Sequence, residues 1–318
     1  MNDHPVFSYF DREQSFRDDS FSQNFMGLRI RAEWDLPVTR IESGVDFTSG
    51  ASAANAADPS LPSRLSEDYY EWISLLEAIL DADDTFVMVD LGAGYGRWAL
   101  NGLLATKRLL QGRLLKPKVF AVEADRTRFQ WMQEAFRLNA VPTGEYELVH
   151  AGVSDKDEMV VMPVNPYEYG ASILHLDQQT SDYIRKNRID TVGVTKSDRQ
   201  LQTVTAIPLL DIIARAAAET REIDFLDMDI QGAEVPAVSS AIDFMNNCVK
   251  RMHISTHDHV QEDLLYDILI KNGWRVLRFY RRETVNNAEF GKFLFDDGII
   301  YGLNTRFNKK NISEKKEI

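Results

Sequence analysis

The sequence predicts an α/β fold: a doubly wound, mostly parallel sheet with a C-terminal antiparallel strand, preceded by an N-terminal extension. Three observations carry this reading. From residue 85 onward, short apolar runs alternate with stretches of helical spacing, the rhythm of βαβ units. At Val89-Asp90-Leu91-Gly92-Ala93-Gly94-Tyr95-Gly96-Arg97-Trp98, three glycines separate one such run from a helical stretch. That junction is where an open parallel sheet takes its ligand. The last two apolar runs, WRVLRFY and DGIIYGL, have no helix between them and read as an antiparallel pair.

Composition narrows the function classes. The chain has 318 residues, 44% of them apolar and 27% charged, as in an ordinary globular protein. A formal net charge of -13 argues against a nucleic-acid or anionic-membrane partner, which would need a basic face. The single cysteine, Cys248, suits a reducing compartment. The opening MNDHPVFSYFDREQSF lacks the basic and apolar regions of a signal peptide. No apolar run nears the roughly 20 residues of a membrane helix. A cytoplasmic protein without a membrane span is expected.

Taken in order, residues 1–63 read as an N-terminal extension and linker. Phe7, Tyr9, Phe10, Phe16, Phe21, Phe25 and Trp34 make residues 1–48 too aromatic for a plain disordered tail. A docked cap or a homo-oligomer contact is expected there. TSGASAANAADPSLPS then reads as a linker. Ser66 offers an N-cap, with Glu67 and Asp68 favourably placed against the helix dipole. Tyr69, Trp72, Ile73, Leu76, Ile79 and Leu80 follow at helical spacing.

The body spans 64–305. TFVMVDL, KVFAVEA and YELVHAGV read as the first three strands, with helices over 97–110 and 126–139. EMVVMPV and QTVTAIP read as extra strands around a polar insertion at 165–202, a candidate lid carrying Tyr167, Tyr169, His175 and Tyr183. A helix is expected over 209–218, EIDFLDMDI as a strand, and 233–245 as a helix. VKRMHIST and a helix over 261–272 lead to the closing pair. Residues 306–318 read as a tail.

Two cofactor classes use a glycine loop in this setting. A dinucleotide asks for G-x-G-x-x-G, whose third small residue allows close helix packing. Here Arg97 occupies that position, and Asp90 precedes the first glycine. An acid repels a pyrophosphate and suits a cationic ligand. S-adenosylmethionine carries a sulfonium and an ammonium and no phosphate. The candidate binding residues are Asp90, Gly92, Ala93, Gly94 and Glu123, the last at a strand end where a carboxylate can accept from a ribose diol. Asp155, at the end of the third strand, could accept from an adenine amino group.

These segments resemble the FkbM family of class I S-adenosylmethionine-dependent methyltransferases. VDLGAGYGRWAL is similar to that family's first motif, VEAD to the acidic end of its second strand, and GVSD with YGASIL to the segment after the third. IDFLDMDIQGAE resembles its most telling motif, with Asp227 where lysine is usual and Gln231 where glutamate is usual. The resemblance covers about residues 85 to 303. It implies methyl transfer to hydroxyls of sugars, glycolipids or polyketide-type metabolites. The alternatives are an NAD-linked oxidoreductase, disfavoured by Arg97 and Asp90, and a non-catalytic nucleotide-binding protein on the same fold.

For the chemistry, Asp229 and His257 end successive strands of this order and are expected to meet at the sheet's carboxyl edge. Methyl transfer to a hydroxyl requires removal of its proton, and histidine is the natural base near neutral pH. His257 is the candidate base. Asp229 has three candidate roles: orienting that histidine, binding the donor's ammonium, or holding a divalent metal. No ligand set has decisive metal spacing. His253, inside its strand, reads as a core histidine.

Overall fold

A computed structural model describes residues 3–34, 61–64, 66–110, 112–164, 172–195 and 199–307. Most of the expected linker, Tyr167 and Tyr169 of the candidate lid, and the end of the tail lie outside the described residues.

The N-terminal stretch begins with a 3-10 turn at Pro5–Tyr9 and a small antiparallel sheet of β1 (Phe16–Arg17), β2 (Phe21–Gln23) and β3 (Arg29–Arg31). α1 (Glu67–Asp81) begins at Ser66, whose hydroxyl accepts the Asp68 N–H. The first half of the central unit is β4 (Thr85–Leu91), α2 (Arg97–Lys107), β5 (Lys116–Glu123), α3 (Arg126–Leu138) and β6 (Tyr146–His150). An insertion follows: β7 (Gly152–Ser154), β8 (Glu158–Val164), β9 (Leu174–His175), α4 (Gln178–Asn187), β10 (Thr191–Val194) and β11 (Gln200–Pro208). The second half is α5 (Leu209–Ala216), β12 (Phe225–Met228), α6 (Glu234–Cys248), β13 (Arg251–Thr256), α7 (His259–Lys271) and β14 (Trp274–Tyr280). A hairpin of β15 (Val285–Ala288) and β16 (Gly291–Leu294) leads to β17 (Gly298–Asn304).

The central sheet has seven strands in the order β14-β17-β13-β12-β4-β5-β6. All are parallel except β17, which runs antiparallel to both β13 and β14, as the closing pair predicted. β4 is buried nearly end to end because helices cover both faces of the sheet. One face packs α1, α2 and α3 through Trp72, Leu76, Leu100 and Phe136. The other packs α5, α6 and α7 through Ile213, Val238, Met245 and Leu265. The chain order reverses between β4 and β12, so the ligand crevice opens at their carboxyl ends.

Residues 3–34 dock on the α1–α3 side. Phe7, Phe10, Phe25, Met26 and Trp34 are buried in the same core as α1 and α2. Each such side chain stabilises by roughly 1.5–3 kcal/mol relative to exposure, so the segment is held as a cap.

One expectation needs correction, and two features go beyond what the sequence announces. YELVHAGV is not one strand: β6 ends at His150, and β7 leaves the central sheet to pair with β11, Gly152 opposite Ala206. A Cβ at Gly152 would sit 3.4 Å from Ala206 Cβ, so small residues permit this crossing. The polar insertion is not a plain excursion. Its described part supplies β9, α4 and β10 to a second, five-stranded sheet built on the β8–β11 ladder. The β15–β16 hairpin had no clear apolar alternation to announce it.

Candidate active site

The glycine loop follows β4, and each glycine has a different reason. All three have positive φ: +81° at Gly92, +58° at Gly94 and +83° at Gly96. A Cβ on Gly92 would stand 1.9 Å from the Asp229 carbonyl oxygen, so the loop backbone packs directly on the end of β12. A Cβ on Gly94 would meet nothing within 4 Å; the loop is open there. A Cβ on Gly96 would lie 2.8 Å from Phe136 Cε2 and 3.0 Å from Met132 Cγ. Gly96 therefore provides the close helix packing that the dinucleotide pattern assigns one position later. Arg97, expected to obstruct that packing, points away and pairs with Asp68 of α1 at 2.6 Å. Between the glycines, Tyr95 stacks at 6.3 Å on Trp34 of the N-terminal cap, which stacks on Trp131 at 5.8 Å. Ala93 is buried, its N–H donating to the Val122 carbonyl.

The acids of this half are buried and internally bonded. Asp90 Oδ2 accepts the Ala99 N–H in the first turn of α2 at 2.9 Å. Burial pushes its carboxyl up to about 7, with Glu123 and Asp229 adding to the rise and the Ala99 amide opposing it. Glu123 Oε2 accepts the Gly94 N–H at 2.7 Å and Oε1 the Asp125 N–H at 2.6 Å. Burial pushes this carboxyl up to about 7 against those two amides. Asp155 is not at the end of the third central strand. It follows β7, exposed, and accepts the Ser154 hydroxyl at 3.1 Å. The turn into the second sheet, invisible in an unbroken apolar run, moved it there.

The structure brings Asp229 and His257 together on adjacent strand ends. His257 Nε2 lies 3.2 Å from Asp229 Oδ1, and its Nδ1 lies 3.2 Å from Glu234 Oε1. Neither nitrogen makes an aligned hydrogen bond, so these are ion-pair distances. Asp297 Oδ1 stands 3.9 Å from Nε2. Burial disfavours the charged ring, but Asp229 and Glu234 outweigh it and push His257 up to about 10. The ordinary histidine value near neutrality therefore does not hold here. Gln231, in the left-handed region at φ +55°, donates from Nε2 to Asp229 Oδ1 at 2.7 Å. Glu234 is fully buried and accepts the Gly232 N–H at 2.9 Å. Asp258 caps α7, accepting the Val260 and Gln261 N–H groups.

Sequence reasoning missed three contributors. Glu234 stands at the start of the helix expected over 233–245, with no local signal that it partners His257. Asp297 carries no local signal. Glu67 Oε1 accepts the N–H groups of Asp296 and Asp297 at 2.5 and 3.3 Å, so α1 positions that loop. Among the described residues, the group able to hold a metal is Glu71, Asp227 and His253, not Asp229 with His257.

The chain matches the Methyltransferase FkbM domain over residues 90–269, more than half its length. It belongs to the FkbM methyltransferase family. A relative from Jannaschia sp. (strain CCS1), provisionally named a methyltransferase, is 28% identical over 281 residues, 87% of this chain and 90% of that protein. The solved methyltransferase FkbM of Methylobacillus flagellatus KT is 17% identical with a TM-score of 0.42, covering 74% of this chain. This chain spans 50% of that protein's length. Precorrin-6y C5,15-methyltransferase of Geobacter metallireducens GS-15 gives 11% identity and a TM-score of 0.38 over 76% of this chain and 91% of its own. Neither solved structure bears on what this chain acts on. The FkbM assignment makes the protein a methyltransferase on a Rossmann-like sheet, and nothing favours the NAD-linked alternative. Among the described residues no helix is long and apolar enough to cross a membrane.

Proposed function

We propose that this FkbM methyltransferase uses S-adenosylmethionine to methylate a hydroxyl of a small-molecule acceptor, with residues 64–305 as the catalytic unit. The observation that carries the reading is His257 clamped between Asp229 and Glu234 at the edge where the Gly92 loop packs on β12.

The residues present fit the donor. A carboxylate has about four lone-pair sites. Glu123 uses two of them on the Gly94 and Asp125 amides, leaving two for a ribose diol. Gly94 leaves open space at the loop, and Ala93 keeps the side chain small beside it. Asp229, Asp90 and Glu123 make the crevice acidic, which suits a cation. When bound, the donor supplies an electrophilic methyl group on a cationic sulfur.

His257 takes the acceptor's proton. In the free protein it is an imidazolium at neutral pH, because two carboxylates flank it. A cation beside Asp229 competes for that charge and lowers the ring's proton affinity. The neutral ring then accepts the hydroxyl proton as the oxygen bonds to the methyl carbon and the carbon–sulfur bond breaks. Hydroxylated sugars, glycolipids and polyketide-type molecules are the acceptor class that the family implies. The insertion at 165–202, whose described part includes exposed His175 and Tyr183, is the candidate lid.

Calorimetry with S-adenosylmethionine, its demethylated product and NAD tests the donor, and turnover on a panel of hydroxylated acceptors tests the reaction. Binding of NAD in preference to S-adenosylmethionine would overturn the reading.

A further inference from the structure

A second polar layer lies beneath this edge. Asp90, Asp227 and His253 are Cα partners across β4, β12 and β13. In-register parallel neighbours point the same way, so the three stand in one row on one face. That face is covered by α1 and α2: Asp90 bonds Ala99, and His253 Nδ1 lies 3.2 Å from Ser74 Oγ. Glu71 precedes Ser74 by three residues on α1 and shares its helix face. Asp90, Asp227 and His253 are 2%, 3% and 1% exposed, so bulk water does not compensate their polarity.

Glu71, Asp227 and His253 each present one ligand atom, and these atoms lie within 4.8 Å of one another. Arg97, whose charge reaches Glu71, is itself paired with Asp68. Two adjacent carboxyls, one buried and one half-buried, repel each other when both are charged. We propose that Glu71, Asp227 and His253 bind a first-row divalent transition-metal ion that ties α1 to the sheet beneath the methyl-transfer edge.

A proton shared between Glu71 and Asp227 would satisfy a carboxyl pair. It leaves His253 without a purpose. Ser74 Oγ stands 3.2 Å from Nδ1. A buried ring oriented through one nitrogen by a neighbouring polar group is how a metal-ligating histidine is held. Mixed carboxylate and imidazole donors suit zinc, manganese or iron better than magnesium. Ligand atoms about 2.1 Å from zinc stand roughly 3.4 Å apart. Glu71 is the half-buried member of the three.

The inference does not depend on the acceptor chemistry. Its test is native mass spectrometry of the full chain, stripped with a chelator and returned to Zn²⁺ or Mn²⁺. Wild type and Asp229→Asn should each retain a single ion. Asp227→Asn and His253→Gln should bind at least about tenfold more weakly, and Ser74→Ala, which keeps all three ligands, by about 10–100-fold. The ion should raise the wild-type melting temperature and not that of His253→Gln. A wild type that takes up no ion overturns the proposal. So does equal binding by wild type and Asp227→Asn, or an ion lost with Asp229→Asn alone, which would place it at the edge. Should the two ligand variants fail to fold by circular dichroism, undiminished binding by Ser74→Ala overturns it equally.

Discussion

His253 and His257 lie on one strand and just past its end, each near carboxyl groups, yet their protons are held in opposite ways. Burial disfavours the charged ring at both. At His253 burial acts together with Arg278, and the ring is pushed down to about 3. At His257 burial acts in the same sense, but Asp229 and Glu234, each 3.2 Å away, override it and push the ring up to about 10. The carboxyls beside His253 differ. Burial first, then Asp227 beside Glu71 and Asp90 beside Asp227, push both well above the usual carboxylate range. Depth alone does not set a histidine's charge; the charge state of its neighbours does. One layer of the sheet is thus arranged to hold a neutral ring, and the layer above it a charged one.

The largest expected effect breaks the upper layer. A positioned base contributes about 10²–10⁴-fold, so His257→Ala should lower kcat by that order while calorimetry shows S-adenosylmethionine affinity nearly unchanged. Retention of most turnover on a verified acceptor would remove His257 from the chemistry.

Glu123→Ala tests the cofactor half. Each charge-assisted bond to the ribose is worth about 1.5–3 kcal/mol, so donor affinity should fall about tenfold or more. With its carboxyl pushed up to about 7, Glu123 loses charge as pH falls through neutrality, and wild-type donor binding should weaken over the same range. An affinity flat across that range, or unchanged by the substitution, rejects the ribose role.

The pH profile sharpens the contrast between the histidines. A base must be neutral to act, so turnover should rise with pH and keep rising above the unperturbed midpoint of about 6.5. A plateau from about that value would show that the carboxylates do not hold the proton. Stability should follow the reverse course. A folded-state pKa raised above the unfolded value stabilises fully below about 6.5 and fades as pH rises through the folded value near 10. The difference in urea unfolding free energy between wild type and His257→Gln should therefore be greatest at mildly acidic pH and disappear at strongly alkaline pH. A difference independent of pH would mean that His257 contributes packing rather than charge.

Much of the architecture was legible because its signals are local. Alternating apolar runs marked β4, β5, β8, β12 and β13, and the absence of a helix between WRVLRFY and DGIIYGL marked β17 as antiparallel. The meeting of Asp229 and His257 followed from strand order alone. What failed was non-local. Nothing in YELVHAGV shows that Ala151 leaves one sheet for another, so Asp155 was assigned to the end of a central strand and instead follows β7. The partners of His257 were read incompletely because Asp297 arrives from a loop held by Glu67, far away in sequence. The row of Asp90, Asp227 and His253 needs the register between three strands, which composition does not carry.

The account turns on where His257 keeps its proton before and after the donor binds. Following the ring by NMR through a pH titration of the full chain, free and saturated with S-adenosylmethionine, measures this directly. The free protein should give a midpoint near 10, and the donor should move it toward neutrality while His253 stays neutral throughout. A His257 midpoint near the unperturbed value of about 6.5 in both states would contradict the carboxylate clamp and the base role built on it.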